Sequence, residues 1–535
     1  MKKHFVSVLL SVAMTSSIVG CSGEQTAIPK ESLKTTTDSK TADNKSDNNK
    51  KLTINWFDGT WENPVPPPDG EAVKAINEKF NVDFKSQFIP FDTYDEKLAV
   101  KMASGDIPDV IGMEEVNANY LKWAKQGAFL PLDEFLKQYE STKAVPDFVW
   151  DSLKVDGKVY GIPNYFSPKG GKKPLIRKDW LDKLGLKMPT NYDELKQVVT
   201  AFTKNDPDGN GKDDTTGLGL SKGIYYDPSF GAYYSNTTWY HNNDSGQYIP
   251  GNIAKGNKEK IEFLADLQKQ GLLNKDWAIL AYKDVFKAFN AGKVGIWYEQ
   301  PGLSTGNGID FETLKQNDPK AEVVPIPPFK ATDGSQGLTL GSGWYRMYMI
   351  SSKLKNDPEK VKRILEMIDY FHKNVPLEEK NPKNEYFNWL NGGEGKGYKM
   401  IDGIAQPIPE NRSNVAPNAY ILDGGWVMND EDLFQFTKTE KSAGGKQLNQ
   451  ALADMLHNMK YYINPINRII SPTLMEKRDD LNKYITDETT KMIIGQRPVS
   501  DWDKMVQEFM AKGGKQMIDD VNKELQASKI QGEWK

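Results

Sequence analysis

The sequence predicts an α/β protein made of more than one globular unit. Near the start of its body, segments that alternate apolar and polar residues are followed by segments with apolar residues at helical spacing. Strands that alternate with helices along the chain are typical of parallel sheets. The chain has 535 residues, and domains commonly contain about 100–200. The length therefore favours two or three units, and 38% hydrophobic residues suffice for their cores.

Five elements are predicted in order at the start of this body. The strands share a two-residue alternation or a short apolar run, and they cover residues 51–56, 82–88 and 108–111. The helices between them have apolar residues three or four apart, and they cover residues 71–81 and 93–102. This strand–helix–strand order opens an α/β lobe.

Amphipathic helices are predicted further along, over residues 191–203, 258–270 and 357–374, and the last hundred residues are mostly helical in pattern. A turn at Asp156-Gly157 leads into an extended segment at residues 161–163. This segment is either a route between lobes or an ordinary surface hairpin. No internal repeat and no long heptad run is present in the sequence.

The composition argues against several classes of function. The net charge of −4 favours neither nucleic acid nor an anionic membrane surface as a partner. One cysteine and four scattered histidines give no disulfide framework, no cysteine-rich zinc site and no paired-histidine metal site. Residues 302–306 match the G-x-S-x-G pattern of a serine hydrolase, but no oxyanion-loop motif accompanies them. Neither a metal-dependent hydrolase nor a nucleophilic enzyme is therefore expected.

The N-terminus predicts a processed and anchored protein. Lys2 and Lys3 precede an apolar stretch that ends in Ser17-Ile18-Val19-Gly20-Cys21. This ending resembles the lipobox of bacterial lipoproteins, which implies diacylglyceryl attachment to the Cys21 thiol, cleavage before Cys21, and an anchor made of lipid, with palmitate as an expected acyl chain. The alternative is an ordinary secretory signal with a chance cysteine.

Residues 22–50 are rich in Ser, Thr, Asp, Asn and Lys and contain no aromatic residue, so they predict a flexible tether. A chain of this length has a root-mean-square reach of about 30 Å.

Seven short segments, spread in order along the chain, carry a resemblance to a known family. They are residues 104–110 (SGDIPDV), 156–163 (DGKVYGIP), 176–186 (IRKDWLDKLGL), 289–297 (FNAGKVGIW), 391–395 (NGGEG), 493–495 (IIG) and 501–503 (DWD). Together they resemble the solute-binding lipoproteins of ABC importers for oligosaccharides, particularly the long type related to LplA and to alginate-oligosaccharide binders. Each segment is weak evidence alone, but the ordered set is specific for the class.

The resemblance implies a type II periplasmic-binding-protein-like fold, with two α/β lobes joined by hinge strands, a helical C-terminal region, and a ligand held between the lobes. We assign residues 51–164 and 325–380 to one lobe, and residues 165–324 and 381–535 to the other. The expected partners are an oligosaccharide and the permease subunits of an ABC importer. We expect a monomer on the extracytoplasmic face of a cell membrane, held there only by lipid, without catalytic activity.

An acidic loop predicts a calcium site. Asp206, Asp208, Asn210, Lys212 and Asp214 stand at positions 1, 3, 5, 7 and 9 of an EF-hand pattern, with Lys212 offering its carbonyl. Crowded carboxylates repel one another unless a hard cation lies among them. Position 12 is a glycine instead of the bidentate glutamate, so the ligand set is incomplete in this register. The alternative is a solvated acidic turn, whereas the resemblance implies a structural calcium.

Sugars offer apolar faces and hydroxyl edges, so aromatic planes with acids and arginine are the expected lining of a sugar site. The candidates are Trp56, Trp61, Tyr165, Trp239, Trp297, Glu299, Trp344, Arg346, Asp423 and Trp426. The resemblance places a stacking aromatic at Trp297, although the core is the alternative for this residue and for Trp56. For Tyr165 and Trp239, surface or core packing is slightly favoured by pattern alone.

Two other functions fit parts of this pattern. A peptide-binding lipoprotein could share the lobed design, but extended peptides call for looser pockets and backbone pairing. A secreted glycoside hydrolase could use the same acids and aromatics, but sequence spacing does not reveal whether two carboxyl groups face each other. The lipobox, the tether and the ordered segments favour binding.

Overall fold

The computed structural model describes residues 50–165, 168–169, 172–224, 229–299, 311–401, 403–421 and 443–535. Lys50–Lys535 form one compact unit. The predictions for the signal segment, Cys21 and the tether up to residue 49, and those for Asp423, Trp426 and the Glu299 side chain, lie outside the described residues.

The described residues alternate between strands and helices along most of the chain. The strands are β1 (Leu52–Thr60), β2 (Val82–Pro90), β3 (Val110–Met113), β4 (Lys154–Val155), β5 (Lys158–Val159), β6 (Gly161–Tyr165), β7 (Lys173–Arg177), β8 (Thr216–Leu218), β9 (Val294–Glu299), β10 (Val323–Pro325), β11 (Leu338–Thr339), β12 (Trp344–Ile350), β13 (Tyr398–Ile401), β14 (Ile404–Pro407), β15 (Tyr461–Ile463) and β16 (Glu533–Trp534).

The α-helices are α1 (Glu71–Phe80), α2 (Phe91–Ala103), α3 (Ala118–Lys125), α4 (Asp133–Leu136), α5 (Glu140–Lys143), α6 (Asp147–Asp151), α7 (Lys178–Lys183), α8 (Tyr192–Lys204), α9 (Lys255–Lys269), α10 (Tyr282–Asn290), α11 (Phe311–Asn317), α12 (Pro358–Phe371), α13 (Glu385–Leu390), α14 (Pro409–Val415), α15 (Ala443–Asn458), α16 (Pro472–Ile493), α17 (Trp502–Phe509) and α18 (Lys515–Ser528). Among the described residues, none of these helices has both the length and the apolar character that crossing a bilayer requires.

The first sheet has the strand order β2-β1-β3-β12-β6. β1 runs parallel to β2 and β3, whereas β12 runs antiparallel to β3 and β6. The sheet is therefore mixed, and the prediction of parallel pairing holds only for its first strands. β12 runs in the opposite sense because the chain enters it at the edge where β1, β3 and β6 end. We call this sheet and its packed helices lobe 1.

The second sheet has the order β10-β7-β9-β8, with β8 parallel to β9 and the other pairs antiparallel. Its core includes Trp180, Phe202 and Ile296 together with apolar residues of α16 such as Leu481 and Ile485. We call this sheet and its packed helices lobe 2. The mixed sheets in two lobes agree with the predicted α/β class.

The predicted turn at Asp156-Gly157 is present between β4 and β5. Both residues have positive φ, 50° and 77°, as the tightest hairpin turns require. The next segment forms β6 in the first sheet, and the chain then continues into β7 in the second sheet. The segment at residues 161–163 thus leads from lobe 1 towards lobe 2.

The packing of two segments departs from the predicted lobe boundaries. Residues 325–380 were assigned to lobe 1, but Phe329 packs in the lobe 2 core. Residues 381–535 were assigned to lobe 2, but Leu390 and Tyr420 pack in the core of the first sheet. The positions at which the chain passes from one lobe to the other depend on packing between distant residues. The local spacing of apolar residues does not predict them.

Candidate ligand-binding site

The candidate site begins at the edge of the first sheet where β1, β3 and β6 end and β12 begins. Ligands of α/β proteins bind beyond the carboxyl ends of parallel strands, because the loops there are free to vary. In this protein the residues that follow β1 and β3 are Trp61 and Glu114, and Tyr345 is the second residue of β12. These three side chains meet.

Trp61 presents an indole ring to solvent, and 71% of the residue is exposed. Its Nε1 donates to Glu114 Oε1 at 3.0 Å and to Tyr345 Oη at 2.7 Å, and the Tyr345 hydroxyl also donates to Glu114. The ring lies 5.0 Å from Phe91, centroid to centroid. An exposed aromatic plane held from behind by hydrogen bonds is suited to stacking against a ligand.

A buried ion pair supports this cluster from below. Arg346 Nη2 lies 2.6 Å from Asp58 Oδ1, and both side chains are almost fully buried. Burial raises the pKa of Asp58, and the Arg346 guanidinium opposes that rise. Arg346 also donates to the Gly59 carbonyl and lies 5.1 Å from the Phe91 ring. Arg346 is thus placed inside lobe 1, under Trp61, and not on the surface that a ligand would reach.

Glycine is required at position 112 beside this pair. A Cβ there would lie 1.8 Å from Asp58 Oδ1, so a larger residue would displace the carboxylate from Arg346.

Several predicted site aromatics lie in the cores. Trp56 is 1% exposed and packs against Phe84 and Tyr348, as the core alternative anticipates. Trp344 is buried, and its Nε1 donates to Ser152 Oγ at 3.0 Å. Tyr165 is buried beside it, at the end of β6. These three rings therefore belong to the core of lobe 1 and not to a surface that a ligand would reach.

Trp297 is also 1% exposed, and it packs in the lobe 2 core with Leu175, Val285 and Phe289. The Trp297 ring therefore lies in the core, which was the alternative to a ligand-stacking role. The sequence of β9 around Gly295 and Trp297 looks the same whether the tryptophan ring packs in the core or stacks on a ligand.

Lobe 2 contains a cavity of about 490 Å³ whose wall combines apolar residues with amides and hydroxyls. Trp239, a predicted site residue, lines it but is 2% exposed and packs in the lobe 2 core, as the packing alternative anticipates. The polar lining residues are Asn236, Thr237, Asn252, Asn257, Lys260, Asn467, Arg478, Asn482, Thr486 and Thr489. Pockets of about 300–1,000 Å³ with a few aimed polar groups are typical of small-molecule sites.

The amides of this wall hold one another in place. Asn252 Nδ2 donates to Asn482 Oδ1 at 2.8 Å, and Asn257 Nδ2 donates to the Asn252 carbonyl at 2.7 Å. The buried Asn252 Oδ1 has no hydrogen-bond partner among the described residues. Lys260 Nζ donates to Ser229 Oγ at 3.1 Å and to the Tyr234 carbonyl at 3.2 Å.

Helix α16 connects the cavity to the edge of lobe 1. Arg478, on the cavity wall, lies 3.8 Å from Glu115, the neighbour of Glu114. Met475, one turn before Arg478, packs against the lobe 1 core. Burial raises the pKa of Glu115, and the Arg478 guanidinium opposes that rise. The Glu115–Arg478 contact therefore joins the cavity wall to the residue next to Glu114, the hydrogen-bond partner of Trp61.

Sequence reasoning missed Glu114, Glu115, Tyr345, Asn252 and Arg478. Glu114 and Glu115 could have been found from the sequence, because they come just after the predicted strand at residues 108–111. Residues just after the carboxyl end of a parallel strand commonly contact a ligand. The others could not have been found in this way, since they reach the site through long-range packing.

The predicted calcium loop follows α8. Asp206 accepts hydrogen bonds from the N–H groups of Gly209, Asn210 and Gly211 at 2.9–3.1 Å, and the Gly211 N–H lowers the pKa of Asp206. Gly211 has φ 74°, as the turn at position 6 requires. Lys212 donates its own N–H to Asn210 Oδ1.

Lys293 lies between two of the predicted metal ligands. Its Nζ is 3.1 Å from Asp208 Oδ2 and 2.9 Å from Asp214 Oδ2, and it lowers the pKa of Asp214. Among the described residues, no group of three or more acidic, His or Cys side chains is arranged as metal ligands. The oxygen atoms of this loop suit a cation that prefers oxygen ligands. In this structure, however, the Asp208 and Asp214 carboxylates share the ammonium group of Lys293.

Gly217, at position 12 of the pattern, has no room for a glutamate. A Cβ there would lie 2.4 Å from the Val199 carbonyl oxygen. The missing bidentate ligand is therefore a consequence of the close approach of β8 to α8.

Comparisons with known proteins give a consistent result. Residues 64–371 match the family model described as bacterial extracellular solute-binding protein. The chain is 24% identical to the polygalacturonan/rhamnogalacturonan-binding protein YtcQ of Bacillus subtilis strain 168, over 99% of both chains. It is 26% identical to lipoprotein LipO of the same strain, over 87% of this chain and 91% of LipO.

Solved structures share the fold. The S. pneumoniae substrate-binding protein FusA, as an EF-hand mutant in complex with fructo-nystose, is 18% identical and superposes with a TM-score of 0.61. The alignment covers 89% of this chain and 99% of the FusA chain. These findings confirm the predicted family and the two-lobed α/β fold.

Proposed function

The chain belongs to the bacterial extracellular solute-binding protein family, and we propose that it captures an oligosaccharide between its lobes and delivers it to an ABC importer. The observation that carries this proposal is the chain of contacts that runs from the exposed Trp61 ring through Glu114 and Glu115 to Arg478 on the cavity wall. An aromatic plane with amides, hydroxyls and carboxylates matches the alternating apolar and hydroxyl surfaces of sugars.

The energetics suit reversible capture. One sugar ring that buries about 100 Å² of apolar surface against Trp61 contributes about 2.5 kcal/mol at ~25 cal/mol per Å². Hydrogen bonds from the cavity wall add to this, and association entropy subtracts from it. A micromolar Kd, about −8 kcal/mol, is the expected result.

The names of two relatives support a sugar ligand and a lipid anchor for this protein. YtcQ is named as a polysaccharide-binding protein and LipO as a lipoprotein, and the lipobox ending at Cys21 gives this chain its own attachment point. We therefore place the protein on the extracytoplasmic face of the cell membrane, as a lipid-anchored monomer whose partners are the sugar and the permease subunits. No catalytic role is proposed, since these relatives are named as binding proteins or lipoproteins.

A titration separates this proposal from its alternatives. Residues 50–535, which form a compact unit, are titrated with oligosaccharides and separately with peptides, with intrinsic tryptophan fluorescence as the signal. Saturable binding of intact sugar supports the proposal. Cleavage of the sugar during the titration would indicate a glycoside hydrolase, and a response to peptides alone would indicate a peptide receptor.

We also propose that the loop at Asp206, Asp208, Asn210, Lys212 and Asp214 binds a structural calcium ion. The support is the donor order, the Gly211 turn and the EF-hand named for FusA, which shares the fold. Calcium would supply the positive charge that these carboxylates need, and Lys293 supplies part of it without metal. The loop follows α8 directly, so calcium would brace lobe 2 and not contact the sugar.

Calcium is expected to raise the free energy of unfolding by about 1.4 kcal/mol at ten times its Kd. The effect should be larger in K293M, because this variant leaves Asp208 and Asp214 without their ammonium partner. Thermal unfolding with calcium and with a chelator measures both values, and K196M, which removes an ion pair to Asp266 on the exposed side of α8, is the matched control. An identical unfolding temperature with and without calcium in both the wild type and K293M would contradict the proposal.

A further inference from the structure

The lobe 2 cavity contains a buried hydrogen-bond acceptor that the described part of the protein does not use. Asn252 lies in a short 3-10 helix (Gly251–Ile253) and is 6% exposed. Its Nδ2 donates to Asn482 Oδ1, and its carbonyl accepts from Asn257 Nδ2. Its Oδ1 has no partner among the described residues. A buried polar atom without a partner is costly, so this acceptor points to a ligand that carries a donor.

An amide donor lies next to this acceptor. Asn482 is on α16, and within the described ranges its side chain makes one hydrogen bond, which it accepts from Asn252. Its Nδ2 group can therefore donate to a ligand, and the residue is exposed. Both asparagines line the cavity. The pair thus offers a ligand one acceptor and one donor, and neither carries a charge.

Apolar side chains line the same cavity. Ile485 follows Asn482 by three residues, on the same face of α16, and is 3% exposed. Ile261 and Met517 also line the cavity, and all three apolar residues belong to the lobe 2 core. A hydroxyl group placed against these side chains would lose hydration without a partner, whereas a methyl group would gain from burial there.

We propose that the lobe 2 cavity is a subsite for an acetamido sugar, that is, for an N-acetylhexosamine unit of the captured oligosaccharide. This inference rests on the proposed sugar-binding function and specifies its substrate class. An acetamido group consists of an N–H donor, a carbonyl acceptor and a methyl group. These three parts match the Asn252 Oδ1 acceptor, the Asn482 Nδ2 donor and the apolar lining at Ile485.

Matched sugar pairs test this inference by calorimetry on residues 50–535. Chitotriose is compared with cellotriose, N-acetylglucosamine with glucose, and N-acetylgalactosamine with galactose. The members of each pair differ only in carrying an acetamido or a hydroxyl group at C2. In the pair that binds best, we expect the acetylated member to bind at least about tenfold more tightly, because it adds a buried hydrogen bond and a buried methyl group.

The outcomes separate this inference from the function on which it rests. Equal or tighter binding of the hydroxyl members would overturn the inference while leaving the sugar-binding function intact. Binding of other oligosaccharides, with none of the acetylated probes bound, would overturn it as well. Failure of every sugar to bind would instead refute the proposed function.

Two variants locate the preference at the amide pair. N252L removes the buried acceptor, whereas N482D keeps an oxygen for Asn252 Nδ2 but replaces the amide donor with a carboxylate oxygen. In each, we expect the ratio of acetylated to hydroxyl affinity to fall to about threefold or less, because a hydrogen bond to the acetamido group is lost. Asn482 is exposed, so N482D should fold even if N252L does not.

The matched control for these variants is D480N. It makes the reverse exchange of acid and amide at an exposed residue of α16 that is not part of the described cavity wall. We expect D480N to keep the wild-type ratio of acetylated to hydroxyl affinity. The same wild-type ratio in N482D, or in folded N252L, would overturn the inference.

Discussion

Replacing Asp58 with Asn is expected to lower the free energy of unfolding by about 3–5 kcal/mol, because it leaves the Arg346 guanidinium buried without its carboxylate. The pair lies 2.6 Å apart, with almost no exposure of either side chain. Arg346 also has φ 69°, a backbone conformation that most residues avoid, so the surroundings hold it firmly. Urea denaturation of residues 50–535 measures the change.

Two further variants make this prediction specific. D83N removes the exposed Asp83–Lys85 pair in the same sheet and is expected to cost less than about 1 kcal/mol. The double variant D58L/R346M removes both charges and should recover much of the stability, since apolar replacements of buried ion pairs are often neutral. A loss below about 1 kcal/mol in D58N would show that the pair does not support the edge of lobe 1.

Replacing Trp61 with Ala is expected to weaken sugar binding about 30- to 100-fold, or about 2–3 kcal/mol. Trp61 is the exposed aromatic ring of the site, and its loss removes both the stacking area and the group that Glu114 and Tyr345 orient. The folded protein should lose little stability, because 71% of the residue faces solvent. Calorimetry on the wild type and W61A, with the tightest-binding sugar, measures the effect.

W61F is the matched control for this variant. It keeps an aromatic plane over Phe91 but has no Nε1 to donate to Glu114, so we expect an affinity between those of the wild type and W61A. Unchanged affinity in W61A would place the sugar elsewhere on the molecule.

The local elements of the fold were predictable, and the long-range arrangement was not. The helix predicted over 71–81 is observed as Glu71–Phe80, and that over 191–203 as Tyr192–Lys204. Helical spacing of apolar residues is a local property, and the sequence displays it directly. The antiparallel direction of β12 and the packing of Tyr420 in lobe 1 depend on where the chain crosses between the lobes.

The site was predictable only in part, for a physical reason. Trp61 lies exposed at the lobe 1 edge, whereas Trp239 lines the cavity but is itself buried in the lobe 2 core. Trp56, Trp297 and Trp344, which were also candidates, are buried as well. Exposure of a ring is decided by which distant residues cover it, and no local pattern reports that. The contact of Glu115 with Arg478 joins two lobes and is equally invisible in sequence.

The most direct test of the central claim is a crystal structure of residues 50–535 with the tightest-binding oligosaccharide. We predict electron density for the sugar between the lobes, stacked on Trp61 and hydrogen-bonded to the wall that contains Asn252, Asn482 and Thr486. Sugar bound to the outer surface of one lobe, with the space between Trp61 and the cavity empty, would contradict this account of the site.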